Sequence, residues 1–156
     1  MSNLLSLNYS QFQDLYNSNE IYFLDFYADW CGPCRMMSPV LESFAGSSEF
    51  SNIKFAKVDV DSEPEFAKEF EVRSIPAFFL VKFTGNGFEK IGNWVGGQDS
   101  LTFGDKILKI AKEYQTNQTN SDDNSEPKNN IVDFDKIEKE DKEENTATLG
   151  SNSREI

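Results

Sequence analysis

The sequence contains no histidine. That removes Ser-His-Asp and Cys-His nucleophile pairs, Cys₂His₂ zinc fingers and any histidine general base. It has only two cysteines, Cys31 and Cys34, too few and too close for a disulfide framework. No run of 18 apolar residues is present, so no transmembrane helix and no membrane partner are expected. Basic residues are scarce: 15 Lys and Arg face 27 Asp and Glu, giving a net charge of -12. This balance argues against nucleic acid and anionic membrane surfaces, which call for a basic face. No Gly-x-Gly-x-x-Gly is found, so no bound nicotinamide or flavin is expected, and no resident cofactor is expected. Met1 to Leu7 lacks the basic start and apolar stretch of a secretory signal and the arginines of a transit peptide. The expected compartment is the reducing cytosol.

The 156 residues divide by composition. Residues 1–114 hold 20 of the 21 aromatics and read as one domain. Residues 115–156 hold 11 acidic and 5 basic side chains and one aromatic, Phe134. Such a segment cannot bury enough apolar surface to offset its chain entropy, so a disordered acidic tail is expected. Its one apolar patch, Ile131 to Ile137, reads as solvated tail more readily than as a docking motif.

Within 1–114, helix and strand patterns alternate. Ser10 and Gln13 fit a capping box for a helix through Asn17. Ile21 to Ala28 is a continuous apolar run, as a buried strand requires. Met36, Met37, Val40, Leu41 and Phe44 recur at helical spacing, with Pro39 expected to kink that helix and Gly46 to stop it. Ile53 to Val60 alternates as a strand. Ser62 and Glu65 suggest a second capping box for a helix through Phe70. Ala77 to Phe83 and Phe88 to Ile91 read as strands joined by a Gly85-Asn86-Gly87 turn. Gln98 to Tyr114 is an amphipathic helix with Leu101, Ile107, Leu108, Ile110 and Ala111 apolar. The expected fold class is an α/β sandwich around a mixed central sheet.

Cys31-Gly32-Pro33-Cys34 falls where a strand gives way to a helix. A cysteine at a helix N-terminus meets unpaired N–H groups and the positive end of the helix dipole, which favour the thiolate. A second cysteine one turn later can close a small disulfide ring. Cys31 is therefore the expected attacker of a substrate disulfide and Cys34 the resolver of the mixed disulfide. Pro33 suits the first helical turn and carries no charge. With no histidine between the cysteines, the pair is expected to favour the disulfide and act as a reductant. Arg35 adds positive charge beside that turn. A zinc site is the weaker reading, because two cysteines supply only half of a closed ligand set. Asp25 is the other anomaly, a carboxylate inside an apolar strand. Burial should raise its pKa. It reads equally as a proton acceptor for Cys34 and as one half of a structural ion pair with Lys57.

These residues together resemble the thioredoxin family. The stretch Asp25-Phe26-Tyr27-Ala28-Asp29-Trp30-Cys31-Gly32-Pro33-Cys34 is similar to its active-site signature, and Ser74-Ile75-Pro76-Ala77-Phe78 to its cis-proline segment. Ile91-Gly92-Asn93 falls where the family has a third active-site loop. The resemblance covers residues 1–114 and implies a mixed sheet flanked by helices and a protein-disulfide reductase. It implies Asp25 as buried proton acceptor beside Lys57, and a cis Pro76 facing the disulfide. A substrate strand would pair with Ile75, and Trp30, Gly32, Pro33, Val60, Ile75, Pro76, Gly92 and Asn93 would form the docking surface. It also implies an NADPH-dependent thioredoxin reductase as electron donor and disulfide-containing proteins such as peroxiredoxins or ribonucleotide reductase as substrates, with the chain a monomer. Tyr27, Arg35, Ala77 and Trp94 depart from the common pattern and bear on partner fit, and the N-terminal strand is short. Two other functions compete with this one: an oxidase or isomerase of the protein-disulfide-isomerase type, and a thioredoxin-like adaptor that recruits a partner through its fold or acidic tail.

Overall fold

The most apolar run of the sequence becomes the middle strand of the sheet. In the computed structural model, which describes residues 3–124, β2 (Ile21–Tyr27) lies between β3 (Ile53–Asp59) and β4 (Ala77–Phe83). A strand with neighbours on both sides and helices on both faces has no exposed face, so it does not alternate. The sheet is completed by β1 (Leu5–Ser6) beside β3 and β5 (Phe88–Val95) beside β4, in the order β1-β3-β2-β4-β5. β1, β3 and β2 are parallel, and β4 and β5 return antiparallel. The β4–β5 ladder shifts register after Leu80, where Ile91 is left as an extra residue.

The two faces of the sheet carry separate cores. Phe23, Phe55 and Phe78 pack with Met37 and Leu41 of α2 (Gly32–Ala45) and with Phe103 and Ile107 of α4 (Phe103–Asn124). Leu24 and Phe26 point the other way and pack with Phe12 of α1 (Tyr9–Asp14) and with Phe66 of α3 (Pro64–Glu69). Each fully buried phenylalanine contributes about 1.5–3 kcal/mol. Residues 1–114 form one compact unit. No helix among the described residues is long and apolar enough to cross a membrane.

Helix boundaries differ from the sequence expectation for local reasons. The first capping box is Asn8 with Gln11, not Ser10 with Gln13: Asn8 Oδ1 accepts from Gln11 N at 2.8 Å, and Gln11 Oε1 from Asn8 N at 2.9 Å. The box of Ser62 and Glu65 does not form. Glu63 precedes α3 without a side-chain cap, and Pro64, at the helix start, has no N–H to satisfy. Asp99 rather than Gln98 leads into α4, its carbonyl accepting from Phe103 N at 2.9 Å. Leu101 therefore stays outside the helix, 85% exposed. α4 runs through Asn124, so it continues beyond Tyr114. Residues 125–156, with most of the acidic tail, lie outside the described residues. α2 runs through Pro39 as one helix, and Gly46 caps it in a right-handed conformation.

Candidate active site

β2 ends at Tyr27, and a tight turn carries the chain into α2. Cys31 N donates to the Ala28 carbonyl at 3.2 Å. Cys31 is the N-cap of α2, in extended backbone, with Pro33 in the first turn. Its sulfur accepts from the Cys34 N–H at 3.2 Å, the contact that offers a thiolate at this position a donor. Cys31 and Cys34 are joined in a disulfide with Cα atoms 5.3 Å apart, inside the usual range for such a bond. Both cysteines are only 4% exposed. Ala28, Tyr27, Val60 and Ile75 pack around them.

The rim is partly apolar and open. Trp30 is 68% exposed, so it is no core residue. Its indole N–H donates to Asp61 Oδ2 at 2.9 Å, which fixes the ring beside the disulfide. Pro76 follows Ile75 through a cis peptide bond. Arg35 directs its guanidinium to the Asp29 carbonyl at 2.7 Å, so it braces the turn before Cys31.

Gly92 and Asn93 do not join this rim. The register places them opposite Leu80 and Phe79, well inside the β4–β5 ladder. The apolar pattern of the sequence ends β5 at Ile91, but pairing with β4 resumes after the register shift and the strand runs to Val95. Val95 faces Ala77, next to Pro76, and the Gly96 N–H donates to the Pro76 carbonyl at 2.7 Å. The loop beside the cis-proline is therefore Val95-Gly96-Gly97, which sequence reasoning misses. The signal is present as a Gly-Gly pair ending an apolar stretch, and Gly96 has a φ of +89°. Trp94 does not face partners: it packs on Phe23 and Phe103 in the core.

Asp25 is the one buried charged or polar side chain among the described residues, 5% exposed. It shares a sheet face with Phe23, which packs against α2, so it lies on the side of the helix that carries the cysteines. Desolvation raises its pKa from 3.8 to about 7, and the nearby Lys57 charge opposes that rise. Lys57 is its register neighbour on β3, yet the two make no ion pair: Asp25 Oδ1 is buried without a hydrogen-bond partner. The Lys57 ammonium instead lies 5.5 Å from the Tyr27 ring centre. The structural ion pair considered for Asp25 is not formed. Among the described residues, no cluster of three or more metal-ligating side chains occurs.

A mixed five-stranded sheet with a Cys-Gly-Pro-Cys disulfide at the start of a helix, beside a cis-proline, defines a thiol–disulfide oxidoreductase. The thioredoxin family model matches residues 3–109. The chain is 44% identical over 75 residues to a thioredoxin of Coprinus comatus, covering 48% of this chain and 71% of that one. It is 49% identical over 73 residues to the bifunctional thioredoxin reductase/thioredoxin of Mycobacterium leprae, covering 47% of this chain and 16% of that protein. A chain in a solved structure concerning thiol resolution of yeast mitochondrial 1-Cys peroxiredoxin via glutathione/thioredoxin systems superposes with a TM-score of 0.58 at 32% identity, covering 70% of this chain and 99% of that one. The chain belongs to the thioredoxin family, and Cys31–Cys34 is its redox-active pair.

Proposed function

We propose that the chain reduces disulfides of other proteins, with Cys31 as nucleophile and Cys34 as resolving thiol. The Cys31 thiolate attacks one sulfur of the substrate disulfide, forms a mixed disulfide and expels the first substrate thiolate. Cys34 then gives up its proton, attacks Cys31 Sγ and expels the second substrate thiolate. Two electrons have passed to the substrate, and the chain holds the Cys31–Cys34 disulfide. The observation that carries this reading is that disulfide at the N-cap of α2, with the Cys34 N–H on Cys31 Sγ.

Asp25 is the proton acceptor for Cys34 in this reading. A carboxyl with a pKa of about 7 is about half ionised at neutral pH, able both to take a proton and to release it. Trp30, Val60, Ile75 and Val95 form the surface on which the substrate segment lies, beside the buried cis Pro76, and Gly32 and Pro33 place no charged side chain between the two cysteines. Electrons return from an NADPH-dependent thioredoxin reductase. The relative from Mycobacterium leprae, which joins both activities by name, supports that donor. Peroxiredoxins and ribonucleotide reductase are the substrate classes proposed, and the yeast structure concerned with a peroxiredoxin supports the first. The cytosol is the proposed compartment.

The test is to trap the intermediate. Cys34→Ser incubated with an oxidised protein substrate should accumulate a mixed disulfide on Cys31, read by non-reducing mass measurement. Cys31→Ser should trap nothing and reduce nothing. Trapping by Cys31→Ser and not by Cys34→Ser would reverse the assignment.

A further inference from the structure

The loop beside the cis-proline contains two consecutive glycines, Gly96 and Gly97. Glycine pairs leave the backbone many conformations, so an ordered loop there needs an external restraint. Gln98 supplies three. Its side-chain Nε2 donates to the Val95 carbonyl at 3.3 Å and to the Gly96 carbonyl at 3.1 Å. Both acceptors are carbonyls, so only the NH₂ end of the amide can make these bonds. Its backbone N–H donates to Met37 Sδ at 3.4 Å. Met37 is buried in α2, three residues after Cys34. The Gly96 N–H closes the set on the Pro76 carbonyl at 2.7 Å. One residue thus connects the helix of the redox pair, the Gly-Gly loop and, through Gly96, the cis-proline segment.

We infer that Gln98 is a positioning residue: its side-chain amide clasps the Val95 and Gly96 carbonyls of the loop to a residue whose backbone N–H is held on Met37 of the redox helix, so that Val95 is presented in a fixed place to protein substrates. Val95 is 55% exposed although its carbonyl is tied down, which is the arrangement a preformed contact surface requires. The inference rests on the docking surface proposed above. Releasing the clasp defers the loop's ordering cost until a substrate binds, so it weakens binding without touching the sulfur chemistry.

The test uses the full chain, insulin as the protein disulfide, dithiothreitol as electron source and a small aromatic disulfide as a second substrate. Gln98→Ala should raise KM for insulin about fivefold, the loss expected for one or two net hydrogen bonds. kcat, the Cys31–Cys34 potential and the rate with the small disulfide should not change. Hydrogen exchange at the Gly96 amide should speed up. Gln98→Glu keeps the length but offers only acceptors at neutral pH, so it should match Gln98→Ala, and it carries the same test if the alanine variant folds poorly. Unchanged KM, a glutamate variant that behaves as wild type, or a KM change accompanied by a shifted potential would each overturn the clasp. Val95→Asp separates this from the docking surface. If Val95→Asp raises KM and Gln98→Ala does not, only the clasp fails; if neither does, the docking surface fails too.

Discussion

Replacing Asp25 by asparagine should make the protein more stable, and the gain should depend on pH. The folded-state pKa of Asp25 is raised from 3.8 to about 7 because burial penalises the charged form and Lys57 only partly compensates. A raised folded-state pKa means that the native state holds the proton more tightly than the unfolded chain. The stability tied to this group is therefore fully present below about pH 4 and is lost as pH rises through about 7. At 1.36 kcal/mol per pKa unit, ionising Asp25 in place costs about 4 kcal/mol once the pH exceeds both values. Against a total stability of about 5–15 kcal/mol, that cost is large. The asparagine amide does not titrate. Asp25→Asn relative to wild type should therefore show a constant offset at low pH, a gap opening through about pH 4–7, and a plateau above about pH 8. The assay is urea unfolding of the oxidised protein at about half-unit pH steps from about 3.5 to 8.5, with m-values compared at each step. A stability difference that stays flat across this range would refute the reasoning, since it would mean that the buried carboxylate carries no desolvation cost.

Other substitutions separate chemistry, docking and packing. The Cys31–Cys34 pair should equilibrate in glutathione buffers with a potential near about -270 mV, as a reductant requires; a value near about -180 mV would instead indicate an oxidase or isomerase. Trp30→Ala should raise KM for insulin severalfold while moving stability by less than about 1 kcal/mol, because the ring is 68% exposed; an unchanged KM would remove Trp30 from the docking surface. Phe12→Ala should cost about 3–5 kcal/mol in urea unfolding, since Phe12 is fully buried among Phe66, Phe70, Phe83 and Phe88, and leave the potential unchanged; a loss under about 1 kcal/mol would mean that the site collapses around the gap.

The redox pair and the sheet are legible in the sequence because their signals are local. Two cysteines flanking Gly-Pro at a strand-to-helix switch need no tertiary knowledge to interpret, and an apolar run such as Ile21–Tyr27 has few other structures open to it. What escapes depends on register. Gly92 and Asn93 fall in the active-site loop only if the strand ends at Ile91, but pairing resumes past the extra residue, with Gly92 to Val95 against Leu80 to Ala77, and the loop comes at Val95-Gly96-Gly97. Trp94 beside that loop reads as a surface aromatic until the pleat turns its ring onto Phe23. The first capping box is ambiguous in a similar way: Asn8 and Ser10 are equally good caps by type, and nothing in the local sequence shows that α1 starts after Asn8. Gln98 carries no signal at all, since a glutamine after two glycines reveals its role only when the carbonyls it faces are placed.

The extra residue at Ile91 has a further effect, on how these molecules treat one another. β5 is an edge strand of eight residues, long enough to template another chain. The bulge bends that edge midway, and Glu89 and Lys90 place opposite charges just before it. The other edge, β1, is only two residues long. The substrate docking proposed for this chain would carry a matching risk, that of holding copies of itself. Here both borders of the sheet are poor templates, so growth of the sheet from molecule to molecule is discouraged at each end.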